Sequence, residues 1–177
     1  MNTSDSELAA QAAGGDMAAF QVLLERHYDS IFRIALRFTG VREDAEDVAQ
    51  TVCTSLAVKL RSFKGEARFT TWLYRIVVNA SQDFHRRQSA TTRLHQAYGE
   101  MSELVRGEEA DAARELAWLY DALQRVGRDL RETAVLVLAE SLTHAEAADV
   151  LDIKESTVSW RMHELRKELK TLAKAEA

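Results

Sequence analysis

Not one proline interrupts the 177 residues of this chain, and it holds only seven glycines. A chain so poor in the residues that end helices and shape tight turns has few places to reverse a β-hairpin. Helices joined by short links are what it can build. The β-branched clusters Ile76-Val77-Val78 and Val135-Leu136-Val137-Leu138 sit inside longer stretches of helical periodicity, and length favours helix over strand. Apolar residues recur at helical spacing from about Leu8 to Phe84, lapse, and resume from about Leu116 to Leu172. The stretch between includes Ser89-Ala90-Thr91-Thr92 and Arg106-Gly107-Glu108-Glu109. It is polar, acidic and without a sustained stripe, so it reads as a linker with at most a short helix. The expectation is an all-α protein of two small helical domains, residues 1–88 and 112–177, joined by a flexible linker over 89–111. The two blocks do not resemble each other.

Composition excludes several classes. With 46% apolar and 29% charged residues, the chain has the balance of a soluble globular protein. No apolar run approaches the roughly 18 residues of a membrane span. The opening Met1-Asn2-Thr3-Ser4-Asp5-Ser6-Glu7 lacks the basic start and apolar core of a secretion signal. Cys53 is the lone cysteine and has no internal disulfide partner. His27, His85, His95 and His144 are scattered without ligand spacing and read as core or solvent residues. There is no glycine-rich phosphate loop and no recognisable nucleophile motif. A cytoplasmic protein with no metal, no cofactor, no small-molecule substrate and no enzymatic activity is expected.

The net charge of −5 argues at first against nucleic acid, because phosphate neutralisation supplies most of a free-standing DNA binder's affinity. By segment, residues 1–88 carry 11 basic and 11 acidic side chains, residues 89–111 carry 2 and 5, and residues 112–177 carry 10 and 12. If this chain touches DNA, something else must supply much of the electrostatic attraction.

Three surfaces are candidates for function. On a helix from Glu43, the residues Ala45, Val48, Ala49, Val52 and Leu56 fall on one side, and Glu43, Glu46, Asp47, Gln50 and Thr54 on the other. This is either a solvated face or a compact acidic patch for a basic partner. In the helix starting near Thr70, the stripe Leu73, Val77, Ala80 and Phe84 faces inward, while Trp72, Arg75, Asn79, Asp83 and Arg86 lie together on another face. An indole, an amide and guanidinium groups suit single-stranded DNA, as stacking platform, base-edge donor and phosphate partner. The preceding segment Phe63-Lys64-Gly65-Glu66-Ala67-Arg68-Phe69 is a loop able to hold an unstacked base. The bland alternative makes Trp72 and Phe69 core and the arginines solvated. The third surface is a helix-turn-helix. Thr143-His144-Ala145-Glu146 fits a capping box, Asp152-Ile153-Lys154 makes a turn, and Val158, Met162, Leu165, Leu169 and Leu172 form a buried stripe. Opposite lie Ser156, Trp160, His163 and Lys167, flanked by Thr157, Ser159, Arg161 and Arg166. This is a helix offered to a major groove, or else one of a hairpin pair whose Trp160 meets another domain.

The order and spacing of these segments resemble the extracytoplasmic-function branch of bacterial sigma factors over nearly the whole chain. Ala19-Phe20-Gln21-Val22-Leu23, followed by Tyr28, resembles that family's first core helix. Asp44-Ala45-Glu46-Asp47-Val48-Ala49-Gln50 is similar to its polymerase-binding motif. Phe63-Lys64-Gly65, then Phe69-Thr70-Thr71-Trp72-Leu73-Tyr74-Arg75-Ile76 and Asn79, resembles the segment that opens and reads the −10 element. The block from Leu123 through Arg131 to the helix pair ending near Leu169 resembles the domain that reads the −35 element.

The resemblance implies a factor that binds the RNA polymerase core through its β′ and β subunits, recognises both promoter elements and promotes DNA melting. It implies Glu43, Asp44, Glu46, Asp47 and Gln50 for the polymerase. For −10 DNA it implies Phe63, Lys64, Arg68, Phe69, Trp72, Arg75, Asn79, Asp83 and Arg86. For −35 DNA it implies Lys154, Ser156, Thr157, Ser159, Trp160, Arg161, His163, Arg166 and Lys167. It accounts for the charge too, since the polymerase would make most phosphate contacts, and it brings the expectation of an anti-sigma partner able to hold the protein at the inner membrane. Gly127, Asp152, Ser156, Trp160 and Glu164 depart from the family's usual residues, which leaves the −35 sequence undetermined. Two rivals stand beside this reading. One is a degenerate sigma-like interaction protein that binds polymerase or an anti-sigma partner without reading DNA. The other, a free-standing helix-turn-helix repressor, leaves the first 88 residues unexplained.

Overall fold

The computed structural model describes residues 3–88, 118, 122, 123 and 125–175. All regular structure among them is helical, as the lack of proline and the periodicity require. Packing divides the chain into two compact units, Met1–Leu94 and His95–Ala177. The expected linker, 89–111, and the first residues of the expected second domain lie outside the described residues.

In the first unit, α1 spans Asp5–Ala13, α2 Met17–Thr39, α3 Arg42–Lys59 and α4 Phe69–Gln88, with a short 3-10 turn at Leu60–Ser62. Each boundary has a local cause. Ser4 and Glu7 form a reciprocal capping box at the start of α1. The Ser4 backbone N–H, then its hydroxyl, hold the exposed Glu7 carboxyl below the usual carboxylate range. Asp16 caps α2 by accepting from the N–H groups of Ala18 and Ala19. Gly40, at φ 74°, ends α2 in the left-handed conformation that glycine adopts without steric cost. Helix α2 packs on α1, α3 and α4. Their shared core holds Leu23, Ile31, Ile34, Val48, Val52, Leu56, Leu73 and Val77, each at most 1% exposed. Asp5 fastens α1 to α2 by pairing with Arg26 at 2.9 Å and with His27 Nε2 at 2.8 Å.

The burial of α4 differs from the stripe that its spacing suggested. Leu73 and Val77 are buried, but Ala80 and Phe84 are only half-buried, whereas Phe69, Thr71, Tyr74, Ile76, Val78 and Ser81 are buried as well. The reason is that α1, α2 and α3 all pack on α4, so more than one side of it is covered.

In the second unit, α5 spans Arg128–Ala134 and runs into a π-helical turn over Val135–Ala139, α6 spans His144–Leu151, and α7 spans Glu155–Ala175. Both α5 and α6 pack on α7 around Leu130, Leu136, Ala147, Val150, Val158, Met162 and Leu165. The capping box at Thr143 and Glu146 is present: the Thr143 N–H donates to the Glu146 carboxylate at 2.9 Å, and the Glu146 N–H to the Thr143 hydroxyl at 3.2 Å. Asp152 ends α6 at φ 56° and ψ 46°. An aspartate thus adopts the left-handed turn that glycine would take with less strain.

Candidate functional site

The first candidate surface is the outer side of α3. Glu43, Glu46, Asp47, Gln50 and Thr54 are exposed, opposite the buried Ala45, Val48, Ala49, Val52 and Leu56. Asp44 does not belong with them. It is half-buried and accepts a hydrogen bond from the Gln88 side-chain amide at 3.1 Å, which ties the first turn of α3 to the last turn of α4. Glu46 pairs with Arg42 at 3.1 Å, and the Arg42 guanidinium lies 5.4 Å over the Phe32 ring. Glu43 and Asp47 complete the exposed carboxylates of the patch.

The second surface belongs to α4 and the loop before it. Arg75, Asn79, Asp83 and Arg86 are exposed on one side of the helix, with Arg86 paired to Asp83. In the loop, Lys64 and Arg68 are exposed and Gly65 takes φ 73°, a turn that a residue with a side chain would strain. The aromatic residues are less available than the sequence suggests. Phe69 is 3% exposed and packs against His27 at 5.1 Å, Phe63 at 5.6 Å and Trp72 at 5.6 Å. Phe69 is therefore core, and its expected place among the DNA contacts is corrected. Phe63 and Trp72, 5.1 Å apart, are half-buried and cover each other in part. They offer edges to a ligand, with the loop anchored by its own aromatic ring.

The third surface is the outer face of α7. Ser156, Ser159, Trp160, His163, Arg166 and Lys167 are exposed on it, Thr157 is half-buried, and Lys154 is exposed just before the helix begins. Trp160 is 59% exposed, a large apolar area for one side chain to leave to solvent. Ser159 Oγ lies 2.9 Å from His144 Nδ1, which braces α7 against α6. Arg161 departs from expectation. Its side chain is only 14% exposed, with Nη2 2.7 Å from Asp129 Oδ2 and Nη1 donating to Thr133 Oγ1 at 3.5 Å. It locks α7 to α5 and is withdrawn from any phosphate. Sequence reading missed this pair because its members are 32 residues apart. It also stopped at Lys167, although the same face continues through Lys170 and Lys174.

Among the described residues, no group of three His, Cys, Asp or Glu side chains is placed to hold a metal ion. No helix among them is long and apolar enough to cross a membrane. Burial pushes the half-buried Cys53 thiol up from its ordinary pKa, so it is a poor nucleophile near neutral pH.

The profile of the sigma-70 region 2 family matches residues 23–91, from the core of α2 through the end of α4. The ECF RNA polymerase sigma factor SigM of Mycobacterium tuberculosis is 33% identical over 171 residues, covering 96% of this chain and 84% of that protein. The RNA polymerase sigma factor CnrH of Cupriavidus metallidurans is 32% identical over 190 residues, covering 100% of this chain and 99% of its own length. The structure of CnrH in complex with the cytosolic domain of CnrY matches with a TM-score of 0.73 at 28% identity, over 99% of this chain and 100% of that one. A helical unit carrying the acidic α3 and the aromatic–basic α4, and a second unit built as a capped helix-turn-helix, are thus joined by whole-length sequence similarity to proteins of one kind. The chain belongs to the ECF family of RNA polymerase sigma factors.

Proposed function

We propose that this sigma factor binds the RNA polymerase core with its first domain, opens and reads the −10 element with the same domain, and reads the −35 element with its second. The domains are residues 1–88 and 112–177, with 89–111 as the connection. The observation that carries the reading is α7, which lies on a capped partner helix and presents Ser156, Trp160 and His163 outward from its first half. A helix held so, with its exposed side uncommitted, is what a major groove accepts. The α3 face, with Glu43, Glu46, Asp47 and Gln50, suits a basic element of the polymerase. On α4 and its loop, Lys64, Arg68, Arg75 and Arg86 suit phosphates, Trp72 and Phe63 an unstacked base, and Asn79 a base edge. Binding of the displaced strand would offset the few kcal/mol that unpairing costs. The chain catalyses nothing in this account. CnrH forms a complex with the cytosolic domain of CnrY, and by that likeness an anti-sigma partner holds this chain when it is not at work, in the cytoplasm.

Run-off transcription with purified core polymerase on fragmented genomic DNA tests the proposal. Discrete new transcripts are expected. Loss of other factors' transcripts without new ones would identify a decoy that occupies polymerase without reading DNA.

A sharper expectation concerns Trp160, where an indole edge can rest on a thymine methyl. Trp160→Ala should lose about 1–3 kcal/mol of discrimination at one or two base pairs of the −35 element, the usual scale of a base contact. Holoenzyme binding to a library of −35 sequences measures it. Unchanged base preference would leave Trp160 as an interface for protein.

A further inference from the structure

We infer that the C-terminal half of α7 is a phosphate-binding rail, in which Lys170 and Lys174, with Arg166 and Lys167, follow the backbone of the duplex beyond the bases addressed by the start of the helix. The inference rests on the reading of α7 as the −35 recognition helix and extends it to Lys170 and Lys174, which that reading does not use.

The geometry comes first. Ser156, Trp160, His163, Lys167, Lys170 and Lys174 are spaced by four, three, four, three and four residues, and all are exposed. They form one line opposite the buried Val158, Met162 and Leu165. Along that line the chemistry changes once. Its first half offers a hydroxyl, an indole and an imidazole, groups that can touch base edges. Its second half offers three ammonium groups, which accept nothing and suit phosphate oxygens.

Length explains why the change falls there. Helix α7 has 21 residues and so runs about 31 Å, whereas a major groove is about 12 Å wide. A straight helix that enters the groove at Ser156 must leave it again and pass over the flanking backbone. The segment from Lys167 to Lys174 covers about 10 Å of that exit.

Charge points the same way. His163, Arg166, Lys167, Lys170, Thr171 and Lys174 line a shallow groove on α7 that contains no carboxylate. Among the described residues, Lys167 pairs with Glu164 at 3.5 Å, whereas Arg166, Lys170 and Lys174 make no ion pair. Cations three and four residues apart repel one another along a helix, and a polyanion relieves that repulsion. A phosphate backbone is favoured over an acidic protein because the rail is collinear with the reading face. A duplex that puts its bases against Ser156, Trp160 and His163 brings its backbone to Lys170.

The test uses holoenzyme carrying Lys170→Gln and Lys174→Gln together, titrated on promoter DNA across a range of salt and on a library of −35 sequences. Both side chains are exposed, so circular dichroism should show unchanged helicity. The slope of log affinity against log salt should become shallower by about 1.8, at about 0.9 per phosphate contact, with base preference unchanged. The Lys170→Arg, Lys174→Arg variant should keep the original slope. An unchanged slope for the glutamine variant, while Trp160→Ala shifts base preference, overturns the rail and leaves the recognition reading standing. If neither variant affects DNA, both fall together. Weakened binding to core polymerase in the absence of DNA would overturn the rail in favour of a protein contact.

Discussion

Reversing Glu46 and Asp47 to arginine together should weaken association with core polymerase by several kcal/mol, the scale on which like charges oppose each other across an interface. The fold should survive. Both side chains are exposed, on the side of α3 opposite Ala45, Val48 and Val52. The local cost is the loss of the Arg42–Glu46 pair and its replacement by two arginines four residues apart, worth a few tenths of a kcal/mol. Competition for core polymerase measures the affinity, and circular dichroism the helicity. Wild-type affinity in a folded double variant would remove this face from the polymerase interface. Asp44 supplies the internal control. Its carboxylate oxygen is engaged by Gln88, and Asp44→Asn keeps that acceptor while removing the charge, so its effect on core binding should be far smaller.

How much of this was legible in the sequence depended on how many sides of a helix are covered. On α3 the apolar residues named from periodicity, Ala45, Val48, Ala49, Val52 and Leu56, are the residues found buried. One covered side and a strict 3.6-residue period leave little room for error. On α4 the same logic fell short. Three neighbouring helices cover it, so residues off the apolar stripe, such as Thr71 and Ser81, are buried too. Caps were legible because their signal is local: Thr143 and Glu146 sit three residues apart and bond as their types demand. Arg161 was misplaced for the opposite reason. On a helical wheel it borders the buried stripe of Val158 and Leu165, but whether a long cation there reaches solvent or turns inward depends on what α5 brings near it. Here α5 brings Asp129, and no pattern within α7 announces that. Phe69 follows the same rule, since its burial depends on His27 of α2, far away in sequence.

That misplacement of Phe69 leads to the second large expectation. Phe69→Ala should destabilise the first unit by about 3–5 kcal/mol, the range for removing a buried aromatic ring. At 3% exposure the ring gives little surface to any ligand. What it gives up on truncation is packing with His27, Phe63 and Trp72. Because small domains are stable by only about 5–15 kcal/mol, the variant should melt at much lower urea concentration and lose core binding and promoter opening together. Asn79→Ala should fail differently. Asn79 is exposed on α4, so the variant should keep its urea midpoint and its affinity for core polymerase. It should lose permanganate reactivity of −10 thymines on duplex promoters and recover on a template carrying a pre-melted bubble. The two variants together separate scaffold from contact on one helix. If Phe69→Ala kept its stability and lost only promoter opening, the ring would be a base contact after all, and the aromatic cluster a binding slot in place of a core. If Asn79→Ala opened duplex promoters normally, the exposed face of α4 would carry no part of melting.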